Sequence, residues 1–221
     1  MEHELDVAAD GDAVASQAAA YVAGRARVAV AEHGRFTFAV SGGHTPWAMF
    51  AALAGEDMPW AAVELFQVDE RVAPVGDPDR NLTHLRQSIC DAPARVHPMP
   101  VTDADLDAAA AGYATVLPQQ FDLVHLGLGP DGHTASLVPG DPVLQVHDRL
   151  VAVTQPYQGH QRMTLTYPAL TRADQLLWLV TGADKRDALR RLLAGDESIP
   201  AGRVLALRSL VLADRAAAPE K

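Results

Sequence analysis

Residues 121–140 read FDLVHLGLGPDGHTASLVPG: an apolar run, a glycine turn, and a histidine shortly after it. The run FDLVHLGLG is apolar on both faces apart from His125, as a central strand of a parallel sheet should be when helices cover both its sides. The segment Gly127-Leu128-Gly129-Pro130-Asp131-Gly132 formally matches the G-x-G-x-x-G pattern of dinucleotide-binding loops. Such a loop opens a helix directly and is followed about 20 residues later by an acid at a strand end. Here Pro130 interrupts the loop, Pro139-Gly140 cut off any helix, and the next strand, Leu150 to Val153, runs into Thr154 and Gln155. The loop is therefore expected to present Asp131 and His133 to a cleft and to bind no cofactor.

Strand and helix patterns alternate on both sides of this segment. Val14, Ala18, Tyr21 and Val22 have helical spacing, so residues 11–33 read as one amphipathic helix. Phe36 to Val40 reads as a strand ending in a glycine turn. In HTPWAMFAALAG, Thr45 is placed to cap a helix, Pro46 suits its first position and Gly55 its end. Val63 to Val68 is a second strand, ending in charge. Leu106, Ala110, Tyr113 and Leu117 form a helical stripe, with Thr102 and Asp105 at capping-box spacing. RLVAVT and QLLWLVTG read as strands, and DKRDALRRLLAG as a helix with Leu189, Leu192 and Leu193 inward and Gly195 at its end. This alternation predicts one α/β domain over residues 1–221, a doubly wound, mainly parallel sheet with helices on both faces, Rossmann-like in architecture.

Composition narrows the function classes. The 221 residues carry 18 Lys and Arg against 28 Asp and Glu, a formal net charge of −10, which disfavours nucleic acid or an anionic membrane as partner. A small anion needs only a few local positive groups and stays open. The single cysteine, Cys90, rules out an internal disulfide, and no metal-ligand spacing of His and carboxylates occurs. The acidic N-terminus lacks the apolar run of a signal peptide, and no stretch is long and apolar enough to span a bilayer. A cytoplasmic protein with a small-molecule partner is expected, its oligomeric state open.

Four segments place glycine or charge directly after an apolar strand: Ser41-Gly42-Gly43, Asp69-Glu70-Arg71, Gly129 to His133, and Thr181-Gly182 with Lys185. Ligands of open α/β sheets bind beyond the carboxyl ends of the strands, so these segments are expected to share one cleft. Histidine is the usual general base near neutral pH, although His133 taken alone reads equally well as a solvated loop residue. The SGGHTP turn suits a phosphate, through free amides and the hydroxyls of Ser41 and Thr45; its bland reading is a plain capped turn. AVSGG also approaches a nucleophile elbow, with Ala39 in place of the first glycine, which would make Ser41 an acylating serine with His133 as its base. Lys185 and Arg186 stand in the first turn of a helix, where the dipole disfavours cations unless a ligand anion answers them. Arg71 and Arg162 are further candidates, whereas Arg80, Arg190 and Arg191 read as solvated surface charge, and His84, His97 and His147 as structural or exposed.

SGGHTP, VDERVAP…DRN, LGLGPDGHTASLVPG, RMTLTYPAL and VTGADKRDAL occur in this order and together resemble the 6-phosphogluconolactonases, relatives of the glucosamine-6-phosphate deaminases. The deaminases carry an aromatic residue where Arg71 stands, and A-F-N-E-P where this chain has A-S-L-V-P. The resemblance implies hydrolysis of 6-phospho-D-glucono-1,5-lactone, with His133 as the base that activates water and Asp131 and Arg71 beside it. It implies Ser41, Gly42, Gly43, Thr45, Asp69, Arg162 and Lys185 as substrate and phosphate contacts. His44 and Arg80 depart from the family pattern, which more often has serine at both places. Two other functions fit the same pattern: a deaminase or isomerase of sugar phosphates, and a sugar-phosphate sensor without catalysis. An exposed base is of little use to the sensor.

Overall fold

The computed structural model describes residues 2–89 and 92–219, so Cys90 lies outside the described residues. In chain order the elements are β1 (Glu4–Ala8), α1 (Gly11–His33), β2 (Phe36–Val40), α2 (His44–Leu53), β3 (Val63–Gln67), β4 (Asp69–Arg71), α3 (Asn81–Ile89) and β5 (Arg95–His97). They continue with α4 (Leu106–Val116), β6 (Leu123–Gly127), β7 (Val151–Val153), β8 (Arg162–Leu165), α5 (Tyr167–Leu170), β9 (Gln175–Val180), α6 (Arg186–Leu193) and β10 (Arg208–Asp214). Among these, seven strands form one parallel sheet in the order β1-β10-β9-β6-β2-β3-β5. The chain is an α/β protein with a doubly wound, Rossmann-like sheet.

Two cores, one on each face, explain why β6 is apolar apart from His125. Val124 and Leu126 pack with α4, α5 and α6, while Leu123 packs with α1, α2 and α3. Helix α1 begins where Asp10 accepts from the Ala13 amide and stops at Gly34, whose φ of 82° is left-handed. From β2 the chain crosses outward to β3, and from β6 it crosses the other way to β9. The two strands are neighbours, so the topological switch point, where open α/β sheets bind ligands, lies between their carboxyl ends.

The structure corrects several details. Val68 leaves the main sheet: its amide donates to Val40, and its carbonyl accepts from Leu165 of β8. Asp69–Arg71 is thus no tail of β3 but a strand of a second, three-stranded sheet, β4-β8-β7, antiparallel throughout. The RLVAVT strand belongs to that sheet too. Gly43, not Thr45, precedes α2, which ends at Ala54, and no side chain caps its start. Asp105 itself caps α4, accepting from the Ala108 amide, in place of a Thr102 box. Leu189 and Leu192 are buried, whereas Leu193 is only partly so. β1, β5, β8, β10, α3 and α5 are elements that the sequence pattern did not single out. Among the described residues no helix is long and apolar enough to cross a membrane.

Candidate active site at the sheet switch point

A cleft of about 360 Å³ opens at the switch point, with walls drawn from all four strand-end segments. Ser41, Gly42, Gly43 and Thr45 form one side, His133 another, and Asp69, Arg71, Arg162 and Lys185 the remainder. Asp131 does not line it but lies directly behind His133. Nine of the ten expected residues therefore share one cavity, and the tenth, Asp131, contacts His133.

The loop after β6 is a tight turn. The Gly129 amide donates to the His133 carbonyl at 2.8 Å and the Gly132 amide to the Gly129 carbonyl at 3.0 Å. No helix opens there; the next helical turn is the short one at Pro142–Gln145. His133 Nδ1 lies 2.5 Å from Asp131 Oδ1, and the same oxygen accepts the His133 amide at 3.1 Å. Burial raises the Asp131 carboxyl, but the hydrogen bonds and positive charge supplied by His133 outweigh this and hold it below its ordinary value. The ionised carboxylate orients the ring through its Nδ1 proton, and in the neutral imidazole this leaves Nε2 as the acceptor. Gly129 has to be glycine here, because a Cβ would sit 2.1 Å from His133 Nδ1.

Strand alternation directs Asp69 and Arg71 to the cleft and Glu70 away from it. Asp69 Oδ2 accepts from Ser136 Oγ at 2.6 Å and Oδ1 from Asn81 Nδ2 at 3.3 Å, so its carboxylate ties three segments together. Arg71 Nη1 donates to Asn81 Oδ1 at 2.9 Å and to the Asp79 carbonyl at 2.8 Å. The Nε atoms of Arg71 and Arg162 are buried and unpartnered. Burial lowers the Arg162 pKa, with Asp69 offsetting and Arg71 reinforcing the effect. The two guanidiniums concentrate positive charge at the cleft wall. Lys185 Nζ, 3.1 Å from Asp184, lines the same cleft just before α6.

The Ser41 amide donates to His125 Nδ1 at 3.3 Å and its hydroxyl to the His125 carbonyl at 3.0 Å, stitching the ends of β2 and β6 together. A nucleophilic serine would present its proton to an imidazole; this one gives it to a backbone oxygen. Thr45 Oγ1 pairs with Thr181 Oγ1 at 2.7 Å. Among the described residues, no three His, Cys, Asp or Glu side chains are grouped to hold a metal ion.

Sequence reasoning missed the supports. Arg80 is buried, not solvated, with its Nε 3.4 Å from Glu70 Oε2. Fully buried Glu70 accepts the Asn81 and Leu82 amides at 2.7 and 2.9 Å, capping α3 and so aiming Asn81 at Arg71. Gly42 makes room for Asn81, whose Oδ1 would lie 1.9 Å from a Cβ there. The two-residue alternation of D-E-R was the available signal: with Asp69 and Arg71 in the cleft, Glu70 had to turn inward and find donors. His97 proved structural, pairing with Glu64 at 2.8 Å and stacking on Phe66.

A doubly wound sheet with loops of four strands closing on its switch point defines an α/β protein with one shared candidate site. Residues 9–212 match the family described as glucosamine-6-phosphate isomerases/6-phosphogluconolactonase, and the chain belongs to that family. It is 38% identical over 208 residues to a 6-phosphogluconolactonase of Synechocystis sp., covering 88% of this chain and 86% of that one. It is 34% identical over 242 aligned positions to a 6-phosphogluconolactonase of Mycobacterium tuberculosis, covering 99% and 98%. The crystal structure of 6-phosphogluconolactonase from Thermotoga maritima superposes with a TM-score of 0.87 at 25% identity, covering 97% of this chain and all of the other.

Proposed function

We propose that the chain, as one domain over residues 1–221, hydrolyses 6-phospho-D-glucono-1,5-lactone to 6-phospho-D-gluconate, the second step of the oxidative pentose phosphate pathway. The observation that carries this reading is the His133–Asp131 pair, 2.5 Å apart, in a cleft that also holds two arginines and a lysine. Asp131 holds the Nδ1 proton, and Nε2 of His133 takes a proton from water as its oxygen attacks the lactone carbonyl carbon. Negative charge gathers on the carbonyl oxygen, where Arg71 stabilises it. Collapse of the intermediate breaks the ring C–O bond, the proton passes from His133 to the departing ring oxygen, and the new carboxylic acid ionises. The Ser41–Thr45 turn, Arg162 and Lys185 hold the remote phosphate, whose binding energy orients the ring. Asp69 shapes the substrate side of the cleft by holding Asn81 and Ser136. The names of the relatives support the same substrate class.

A pH-stat assay of acid release from freshly made lactone, corrected for spontaneous hydrolysis, tests the reading. Acid release above background is the expected result. Ammonia released from glucosamine 6-phosphate, with no acid from the lactone, would replace this reading by a deaminase.

A further inference from the structure

Tyr157 has no part in the proposed chemistry, yet it touches two of the groups that do. Its ring meets the His133 ring edge-on, 5.6 Å between centroids and 67° between planes. The Arg162 guanidinium carbon lies 5.1 Å from the centroid of the same ring. We propose that Tyr157 is a positioning residue, whose ring sets the His133 imidazole and the Arg162 guanidinium relative to each other and so holds the base and the anion-binding group in one geometry.

The hairpin between β7 and β8 is built to hold that ring still. Tyr157 and His160 exchange backbone hydrogen bonds around Gln158 and Gly159, whose φ values of 50° and 86° make a two-residue turn with both centres left-handed. Gln158 adopts a conformation that non-glycine residues disfavour, as segments at functional sites often do. Its side chain and the Tyr157 carbonyl each accept from Arg162 Nη2 at 3.4 Å. The far side of the turn is pinned by His160 Nε2, 2.9 Å from Asp79 Oδ2, on the loop whose Asp79 carbonyl also takes Arg71. Burial raises the Tyr157 phenol above its ordinary pKa, the charge of Asp131 and a side-chain hydrogen bond to it add to this, and Arg162 opposes it. The ring therefore meets Arg162 as a neutral π face, the arrangement in which a cation is attracted to it.

The test compares Tyr157→Leu and Tyr157→Phe with the wild type by two measurements: the pH profile of kcat/KM for the lactone, and the titration of the His133 imidazole followed by nitrogen-15 NMR. The charged groups around His133 in that titration are Asp131 in its own loop and Asp69, Arg71, Arg162 and Lys185 across the cleft. Tyr157→Leu is expected to lower kcat/KM about 5- to 10-fold and to move the midpoint of the His133 titration. Tyr157→Phe, which keeps the ring, should recover most of the loss. A wild-type profile or an unmoved His133 midpoint in Tyr157→Leu overturns the inference, as does a phenylalanine variant as impaired as the leucine one. The kinetic arm rests on the lactonase reading, whereas the imidazole titration does not. A wild type without lactone turnover refutes that reading and leaves the titration to decide the role of Tyr157.

Discussion

Arg71 and Arg162 are cross-strand partners in the antiparallel β4–β8 pair, two guanidiniums placed opposite each other at the wall of one cleft. Like charges so placed oppose folding, and both Nε atoms are buried without a partner. On the proposed function, an anion bound between them makes the arrangement favourable. Arg162→Gln is therefore expected to lower kcat/KM by about 10- to 100-fold, the worth of one charge-assisted hydrogen bond. The melting temperature should hold or rise, since a repulsion is removed. Thermal unfolding beside steady-state kinetics checks both, and a large drop in Tm with unchanged kcat/KM would assign Arg162 to the fold.

The His133–Asp131 pair predicts graded losses. His133→Ala should reduce kcat by about 10²- to 10⁴-fold, the usual contribution of a general base, while phosphate-ester binding survives. Asp131→Asn removes the carboxylate that holds the proton on Nδ1 and should cost up to about 10⁴-fold, the loss expected when the imidazole takes the wrong tautomer. Ser41→Ala should weaken binding by roughly 1 to 3 kcal/mol, because its hydroxyl serves the β2–β6 junction. A dead Ser41→Ala enzyme and a covalent adduct in the mass spectrum would point to acyl-enzyme chemistry instead.

Lys185 stands at the start of α6, where the helix dipole repels a cation, and among the described residues Asp184 at 3.1 Å offsets this. On the proposed function, a dianionic phosphate lies in front of it. Lys185→Ala should then raise KM for the phosphorylated lactone several-fold more than it lowers kcat. Unphosphorylated gluconolactone should be a poor substrate that barely registers the change. Equal effects on both lactones would remove Lys185 from the phosphate site.

His125 links the site to acid stability. It is fully buried, and burial lowers its pKa from 6.5 to about 3. Between those values the unfolded chain binds a proton that the native chain does not. Stability therefore rises with pH across the window, and is lost as pH falls from 6.5 through about 3. The slope is at most about 1.4 kcal/mol per pH unit. His125→Leu should flatten this dependence, while costing about 1 to 3 kcal/mol at pH 8 by leaving the Ser41 amide without its acceptor. Urea unfolding between pH 4 and pH 8 reads out both effects, and parallel curves for the two proteins would assign the acid sensitivity to another group.

The sequence by itself determined the doubly wound sheet, because buried parallel strands and amphipathic helices are written in local apolar periods. It also determined the four strand-end segments that carry the site, since glycine and charge directly after an apolar strand are local signals too. Tertiary structure alone decided where the chain leaves the main sheet: Val68 bonds to β2 through its amide and to β8 through its carbonyl, and no property of VDER reveals two different partners. That departure turns Arg71 to face Arg162, sends Glu70 inward to cap α3, and buries Arg80, a charge that reads as solvated until its carboxylate partner is found ten residues away in sequence. The same holds for Tyr157, an ordinary loop tyrosine in sequence that lies against both His133 and Arg162. Periodicity reports which side of an element meets apolar neighbours; which polar group meets which depends on contacts between distant segments, and only the folded chain brings those together.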